Sequence, residues 1–174
     1  MLHYPEAQKL AQKEIDEVLG KDRLPTLADR DSLPYVEALY KEVLRWQPLG
    51  PLGVPHRLGS DVDDEYRGMR IPANSIVIPN IWNMLHDPSI YPSPETFDPS
   101  RYFGANQPNP EDVAFGFGRR RCPGISVASS SVWLSIALTL AVYDIRPLEG
   151  EDGSAILPSL GYTNTTIRRV TKIQ

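Results

Sequence analysis

Apolar residues recur at three- and four-residue spacing twice near the start of the chain. Ala7, Leu10, Ala11, Ile15, Val18 and Leu19 mark a first helix over residues 6–18, and Gly20 supplies the residue that can close it. Val36, Leu39, Tyr40, Val43 and Leu44 form the stripe of a second helix, capped by Asp31 or Ser32, with Pro34 in its first turn and Trp46-Gln47-Pro48 as its stop. From residue 49 the pattern changes to short alternating runs. Residues 54–58, 69–71 and 75–78 predict strands of a small hairpin-rich sheet, with a polar turn SDVDDEYRG between the first two, Gly68 as a turn residue, and Pro72 and Pro79 limiting strand length. A short helix is predicted over residues 81–85.

Residues 86–112 show almost no periodicity. A stretch of that length is either a disordered linker or a coil held by specific contacts, and the aromatic residues Tyr91, Phe97, Tyr102 and Phe103 favour the held coil. Residues 123–143 then form one long uncharged run. Its length admits a membrane span, but Ser126, Ser129, Ser130, Ser131, Ser135 and Thr139 interrupt it, and the expectation is a buried core helix. Residues 144–147 and 165–173 read as terminal strands, with a turn EGEDGS after the first of them. Nothing marks a domain boundary, so the reading is one mainly helical unit with small β-sheets, of the α+β class.

Composition alters this picture at three points. Seventeen of the 174 residues are proline, and eleven of these fall between Pro48 and Pro110, so that stretch cannot be mostly regular helix or central strand. The net charge of -4 leaves no basic excess for a phosphate backbone, and no nucleic-acid partner is expected. Cys122 is the one cysteine, and the three histidines lie far apart. The chain therefore encodes neither an internal disulfide nor a multi-cysteine zinc site. The N-terminus runs into an amphipathic helix with no signal-peptide pattern.

The chemistry concentrates around Cys122, in FGFGRRRCPG. A thiolate there would face the start of a helix and the field of Arg119, Arg120 and Arg121, both of which stabilise negative charge. Such a group serves as a nucleophile or as a soft ligand to a metal carried by a cofactor. Gly116, Gly118 and Gly124 allow close backbone approach, and the arginines suit a flat, anionic, bulky partner with carboxylates.

FGFGRRRCPG resembles the haem-binding signature of the cytochrome P-450 family, F-x-x-G-x-R-x-C-x-G, with Phe115, Gly118, Arg120, Cys122 and Gly124 at all five specified positions. Two further motifs of that family stand in the same order. They are E-x-x-R, as Glu42-Val43-Leu44-Arg45, and P-x-x-F-x-P-x-R-[FY], running from Pro94 to Tyr102 through Phe97, Pro99 and Arg101. The segment from Val54 to Pro92 also reads like the family's microsomal fungal members.

The resemblance implies the C-terminal third of that fold, opening at its J helix, with a long proline-rich coil before the cysteine loop. It treats residues 1–174 as one incomplete domain, and expects the membrane anchor, the oxygen-activation helix and the helices closing the far side of the haem pocket to lie upstream. The implied cofactor is haem b, iron protoporphyrin IX, with Cys122 as axial ligand and the catalytic and metal-binding residue. The thiolate's electron donation to iron favours cleavage of the O–O bond. Arg120 would pair with one haem propionate and Arg57, with His56, with the other. Phe115 would shield the thiolate, and Gly118 and Gly124 would serve backbone geometry. Glu42, Arg45 and Arg101 would form a buried charge cluster locking the coil beneath the loop, although Glu42 and Arg45 read alone are a solvated pair.

Substrate contacts are expected from Leu49, Leu52, Gly53 and Val54 and from Asn164, Thr165, Thr166 and Ile167. The implied activity is insertion of one oxygen atom of O2 into a lipophilic small molecule, in secondary metabolism or xenobiotic oxidation. Electrons would come from NADPH through cytochrome P-450 reductase, which Arg119 and Arg121 could face. The location implied for a full-length member is the cytosolic face of the endoplasmic reticulum membrane, with no anchor in this chain. The alternatives are a truncated, inactive haem-binding fragment and a thiol redox or binding module.

Overall fold

The computed structural model describes residues 1–104, 107–150, 152–158 and 161. Five α-helices and three two-stranded sheets occupy them. α1 spans Pro5–Leu19 and α2 spans Pro34–Trp46, each with proline in its first turn, where a missing backbone donor costs nothing. Gly20 ends α1 at φ 72°, a conformation that a side chain would strain. Thr26 and Asp29 form a capping box for a 3-10 turn over Leu27–Ser32. Asp31 and Ser32 lie inside that turn, so α2 is capped by Leu33 and not by either of them.

The core is built where α1, α2 and α5 (Ile125–Val142) meet. Ala7, Ala11, Ile15, Val36, Leu39, Tyr40, Trp133, Ala137 and Leu140 are buried there, with Phe97 of the coil. The two predicted stripes are partly corrected. Leu10, Val18 and Val43 are exposed, because each sits at the edge of an apolar stripe that the core covers only at its centre. The expectation of a buried core helix at 123–143 also needs correction. α5 is uncharged and, by length and composition, long and apolar enough to cross a membrane, yet only 22% of it is buried, along the stripe Ser129, Trp133, Ala137 and Leu140. It starts at Ile125, two residues after Pro123, and a short 3-10 turn over Gly118–Arg120 precedes Cys122.

Strands are shorter than the alternation suggests. β1 (His56–Arg57) pairs antiparallel with β4 (Ile76–Val77), matching His56 with Val77 and Arg57 with Ile76. β2 (Asp64–Tyr66) pairs with β3 (Met69–Ile71). β2 lies within what reads as a polar turn; the reversal itself is confined to Arg67 and Gly68, both at positive φ, as a two-residue hairpin turn requires. β5 (Leu148–Glu149) pairs with β6 (Ala155–Ile156) across the predicted EGEDGS turn. Residues 144–147 are not a strand. Their backbone is taken up instead by α1: Gln8 Nε2 donates to Asp144 Oδ1 at 2.9 Å and to Ile145 O at 3.2 Å, and Ile145 N donates to Gln8 Oε1 at 3.0 Å. The strand predicted at 165–173 lies outside the described residues.

The proline-rich stretch is a held coil. It carries α3 (Ile81–Leu85), a 3-10 turn over Pro99–Phe103 and the four-residue α4 (Glu111–Ala114). Asn80 accepts from Asn83 N to start α3. Tyr91 and Phe97 are buried, the latter against Tyr4 and Trp46, whereas Phe103 is exposed and only stacks on Tyr35.

Candidate functional site

The last turns of α2 supply the base of the site. Glu42 and Arg45 are both wholly buried, and the carboxylate receives Arg45 Nε at 2.8 Å and Nη2 at 2.9 Å. The coil closes over them. Arg101 Nε donates to Glu42 Oε1 at 3.1 Å and Asp98 N donates to the same oxygen at 2.8 Å. Arg45 also donates to Leu85 O and Thr96 O, and Arg101 to Pro92 O and Thr96 O. Two guanidiniums and one carboxylate thus tie four backbone atoms, Leu85 O, Pro92 O, Thr96 O and Asp98 N, into a satisfied network, the condition under which buried charge is tolerated. The guanidinium of Arg45 further lies 5.5 Å from the Tyr91 ring centre. Residues that look like a solvated pair in isolation are the most deeply buried ions of the described residues.

The cysteine loop follows this coil in the chain. Phe115 caps α4, and Gly116 at φ 80° and Gly118 at φ 54° turn the backbone twice within three residues. Cys122 N donates back to Phe115 O at 2.8 Å, closing the loop, and Ile125 N donates to Cys122 O as α5 begins. The Cys122 side chain is exposed. A Cβ built on Gly124 would stand 3.8 Å from Cys122 Sγ, in ordinary contact, so glycine there keeps one side of the sulfur clear. Arg119, Arg120 and Arg121 are exposed around it, and Arg121 Nη2 reaches Glu111 O at 3.2 Å and Asp112 Oδ1 at 3.0 Å.

Phe115 is half-buried at the loop's base. His56 and Arg57 lie exposed on β1, where the Arg57 guanidinium donates to Asn74 Oδ1 in the turn between β3 and β4. Leu49, Leu52 and Val54 are exposed as well. Gly53 is held tightly against Pro79: its N–H donates to Pro79 O at 2.8 Å, and a Cβ would fall 2.4 Å from Pro79 Cγ. Asn164, Thr165, Thr166 and Ile167 lie outside the described residues. The structure therefore brings together Glu42, Arg45 and Arg101, and separately Phe115, Gly118, Cys122 and Gly124; His56 and Arg57 belong to another element.

One group of residues carried no sequence signal. Tyr40 Oη donates to Glu111 Oε1 at 2.6 Å, Ser129 Oγ donates to the same oxygen at 2.7 Å, and Arg30 Nη1 donates to Ser129 Oγ at 3.1 Å. Arg30 is itself paired with Glu37 at 2.8 Å and lies over the Tyr40 ring. Burial, and then the bond to Glu111, push the Tyr40 phenol well up. For Glu111 burial opposes ionisation, but the Tyr40 and Ser129 hydrogen bonds and the Arg30 charge outweigh it and hold the carboxyl below its ordinary range. These residues are 71 and 18 positions apart, so no short motif joins them.

Among the described residues no three His, Cys, Asp or Glu side chains gather as a metal site. A single exposed thiol on a glycine-shaped loop, flanked by exposed guanidiniums, suits a metal whose remaining ligands come with it in a flat anionic macrocycle. Haem fits this donor set.

The family sequence model described as Cytochrome P450 matches residues 1–170. The chain is 50% identical over 171 residues to cytochrome P450 monooxygenase claR of Ampulloclitocybe clavipes, covering 96% of this chain and 32% of that protein. It is 51% identical over 171 residues to cytochrome P450 monooxygenase 208 of Postia placenta, covering 96% of this chain and 33% of that protein. Among solved structures, a zebra fish cytochrome P450 with abiraterone superposes with a TM-score of 0.84 at 32% identity, over 97% of this chain and 39% of the other. A zebra fish cytochrome P450 structure with progesterone gives 0.82 at 31%, over 97% and 37%. The chain spans about a third of the length of the curated relatives it matches.

Proposed function

The chain belongs to the cytochrome P450 family, and from that membership we propose that it is the proximal part of a haem-thiolate monooxygenase in which Cys122 is the axial ligand of the iron. The observation that carries this reading is the loop itself: one exposed sulfur at the mouth of α5, held by the Cys122 N to Phe115 O bond and kept clear by Gly124. The family implies haem; that it is haem b is part of the proposal. When bound, haem supplies the activation of O2 for insertion of one oxygen atom into an apolar substrate.

The chain's own residues have definite tasks in that scheme. The start of α5 and the three exposed arginines flank the sulfur in the chain, and Cys122 is the one side chain of this loop that can ligate iron. Arg120 pairs with one carboxylate of the macrocycle, and Arg57 with His56 meets the other. Phe115 excludes water from one side of the sulfur, and Gly118 lets the loop turn without a side chain in the way. Glu42, Arg45 and Arg101 take no part in the chemistry; they hold the coil under the loop. Leu49, Leu52, Gly53 and Val54 offer an apolar edge to a lipophilic substrate, and Asn164 to Ile167 are assigned the same role. Arg119 and Arg121 present positive charge to a reductase carrying NADPH-derived electrons at the endoplasmic reticulum membrane.

The test is the reduced, carbon-monoxide difference spectrum of the longest natural polypeptide that carries this sequence. The red-shifted band of thiolate ligation is expected in the parent protein and absent in Cys122→Ala. A thiol redox module would bind no haem, and a band that survived Cys122→Ala would place the ligand elsewhere.

A further inference from the structure

The loop that carries Cys122 is held by its neighbours at two places, and one carboxylate joins them. Glu111 opens α4, the turn that leads into Phe115. Its Oε1 receives Tyr40 Oη from α2 at 2.6 Å and Ser129 Oγ from α5 at 2.7 Å. Its backbone carbonyl receives Phe115 N at 3.4 Å and Arg121 Nη2 at 3.2 Å. Phe115 O in turn receives Cys122 N at 2.8 Å. Tyr40 is wholly buried and Ser129 is 8% exposed, so both donors are themselves fixed by the core.

We propose that Glu111 is a positioning residue for Cys122: by accepting from Tyr40 and Ser129 at one oxygen it fastens α4 to α2 and to α5 together, and so sets both flanks of the loop from Phe115 to Cys122. The relationship follows from where the donors sit. Ser129 is the fifth residue of the helix that Cys122 precedes, just past its first turn, and Tyr40 lies on the helix that carries Glu42 and Arg45. Without the shared acceptor, α4 would keep the Arg121 bonds and the packing of Val113 and Ala114, but would lose the side-chain bonds that tie it to α2 and to the body of α5 at once. Two donors converging on one carboxylate oxygen, with a guanidinium behind Ser129, form a short charge-assisted network that loses both its links to α4 when the acceptor goes and keeps only the Arg30 to Ser129 bond. Its bearing on iron ligation rests on the reading of Cys122 as the thiolate ligand; its bearing on the loop does not.

The variants are Glu111→Ala, Glu111→Gln, Ser129→Ala and, as a destabilising change away from the loop, Gln8→Ala, made in the longest natural polypeptide that carries this sequence. The first readout is amide hydrogen exchange at Cys122 without haem. Glu111→Ala is expected to speed it about tenfold or more and Ser129→Ala a few-fold. Glu111→Gln, whose amide oxygen can still accept at the Oε1 position, should stay near the parent rate, and Gln8→Ala should leave it unchanged. The second readout is the share of reduced, carbon-monoxide-bound protein with the thiolate band, expected to fall several-fold in Glu111→Ala and to be kept in Glu111→Gln. Cys122 exchange unchanged in Glu111→Ala, or as fast in Glu111→Gln as in Glu111→Ala, would overturn the proposal. If Glu111→Ala does not fold, Ser129→Ala decides: unaltered exchange at Cys122 overturns it, and faster exchange with Glu111→Gln at the parent rate supports it. A parent protein with no thiolate band would sink the haem reading while the exchange rates still decide the role of Glu111.

Discussion

Arg45 stands one helical turn beyond Glu42, and the two share a pair of hydrogen bonds, Nε to Oε2 at 2.8 Å and Nη2 to Oε1 at 2.9 Å, with no exposure to solvent on either side chain. Removing one partner strands the other as a buried charge. Arg45→Leu is therefore expected to destabilise the protein by roughly 3–5 kcal/mol. Glu42→Leu should cost more than Arg101→Leu, because it takes the carboxylate away from two guanidiniums and from Asp98 N at once. Urea unfolding of the three variants gives the order, and equal midpoints for Glu42→Leu and Arg101→Leu would show that the cluster is not shared in this way.

Gln8 does at the far end of α5 what a strand would have done. One buried amide makes three bonds, to the Asp144 side chain and to both backbone groups of Ile145. Gln12 adds bonds to Leu140 O and Tyr143 O, where the helix runs out of its own donors. Gln8→Ala should cost about 1–3 kcal/mol, with Ile145 N exchanging faster while Cys122 N does not. Gln8→Glu, which keeps the length but brings a charge beside Asp144, should be no better than alanine above neutral pH.

How far the chain could be read in advance follows from how local each feature is. α3 at 81–85 and β3 at 69–71 stand where the pattern puts them, and α1 and α2 differ from it by a residue or two at their ends, because helix periodicity and proline or glycine stops are local signals. The strand expected at 144–147 failed for the opposite reason: its apolar alternation is served by Gln8, 136 positions away from Asp144. The buried state of Glu42 and Arg45 is invisible in the helix that carries them, since the coil that covers them lies some 50 positions later, at Thr96 and Asp98. Family motifs carried that information because they encode the remote partner along with the helix. Glu111, Tyr40 and Ser129 belong to no short motif, and only the fold brings them to one oxygen.

Glu111 also makes a pH prediction. Its carboxyl is held below its ordinary value of 4.5 by Tyr40, Ser129 and Arg30, against the opposing effect of burial. A group whose folded value is depressed contributes stability that is fully present above the unfolded value and is lost as pH falls through the folded one. Stability should thus decline below about pH 4.5, and part of that decline should be missing in Glu111→Gln. Urea midpoints at pH 7 and at several points below pH 5 would test this, and parallel curves for parent and variant would refute it.

The last expectation concerns the 174 residues on their own. Turnover of a lipophilic substrate requires the iron and substrate to be closed off from bulk water. In the described residues Cys122 is exposed, and two concavities, one between α1 and the end of α5 and one beside Val43 and Val132, are lined by neither Cys122 nor its arginines. Exposed apolar side chains are plentiful instead: Leu49, Val54 and Ile76 near the first sheet, and Val127, Val132 and Val142 along α5. Apolar surface of that extent calls for a cover, from more of the same polypeptide, another chain or aggregation. The isolated chain, supplied with haem, reductase and NADPH, is therefore expected to oxidise no lipophilic substrate and to self-associate at micromolar concentration. A monodisperse preparation with substrate turnover that Cys122→Ser abolishes would show that these residues enclose a working site without further cover.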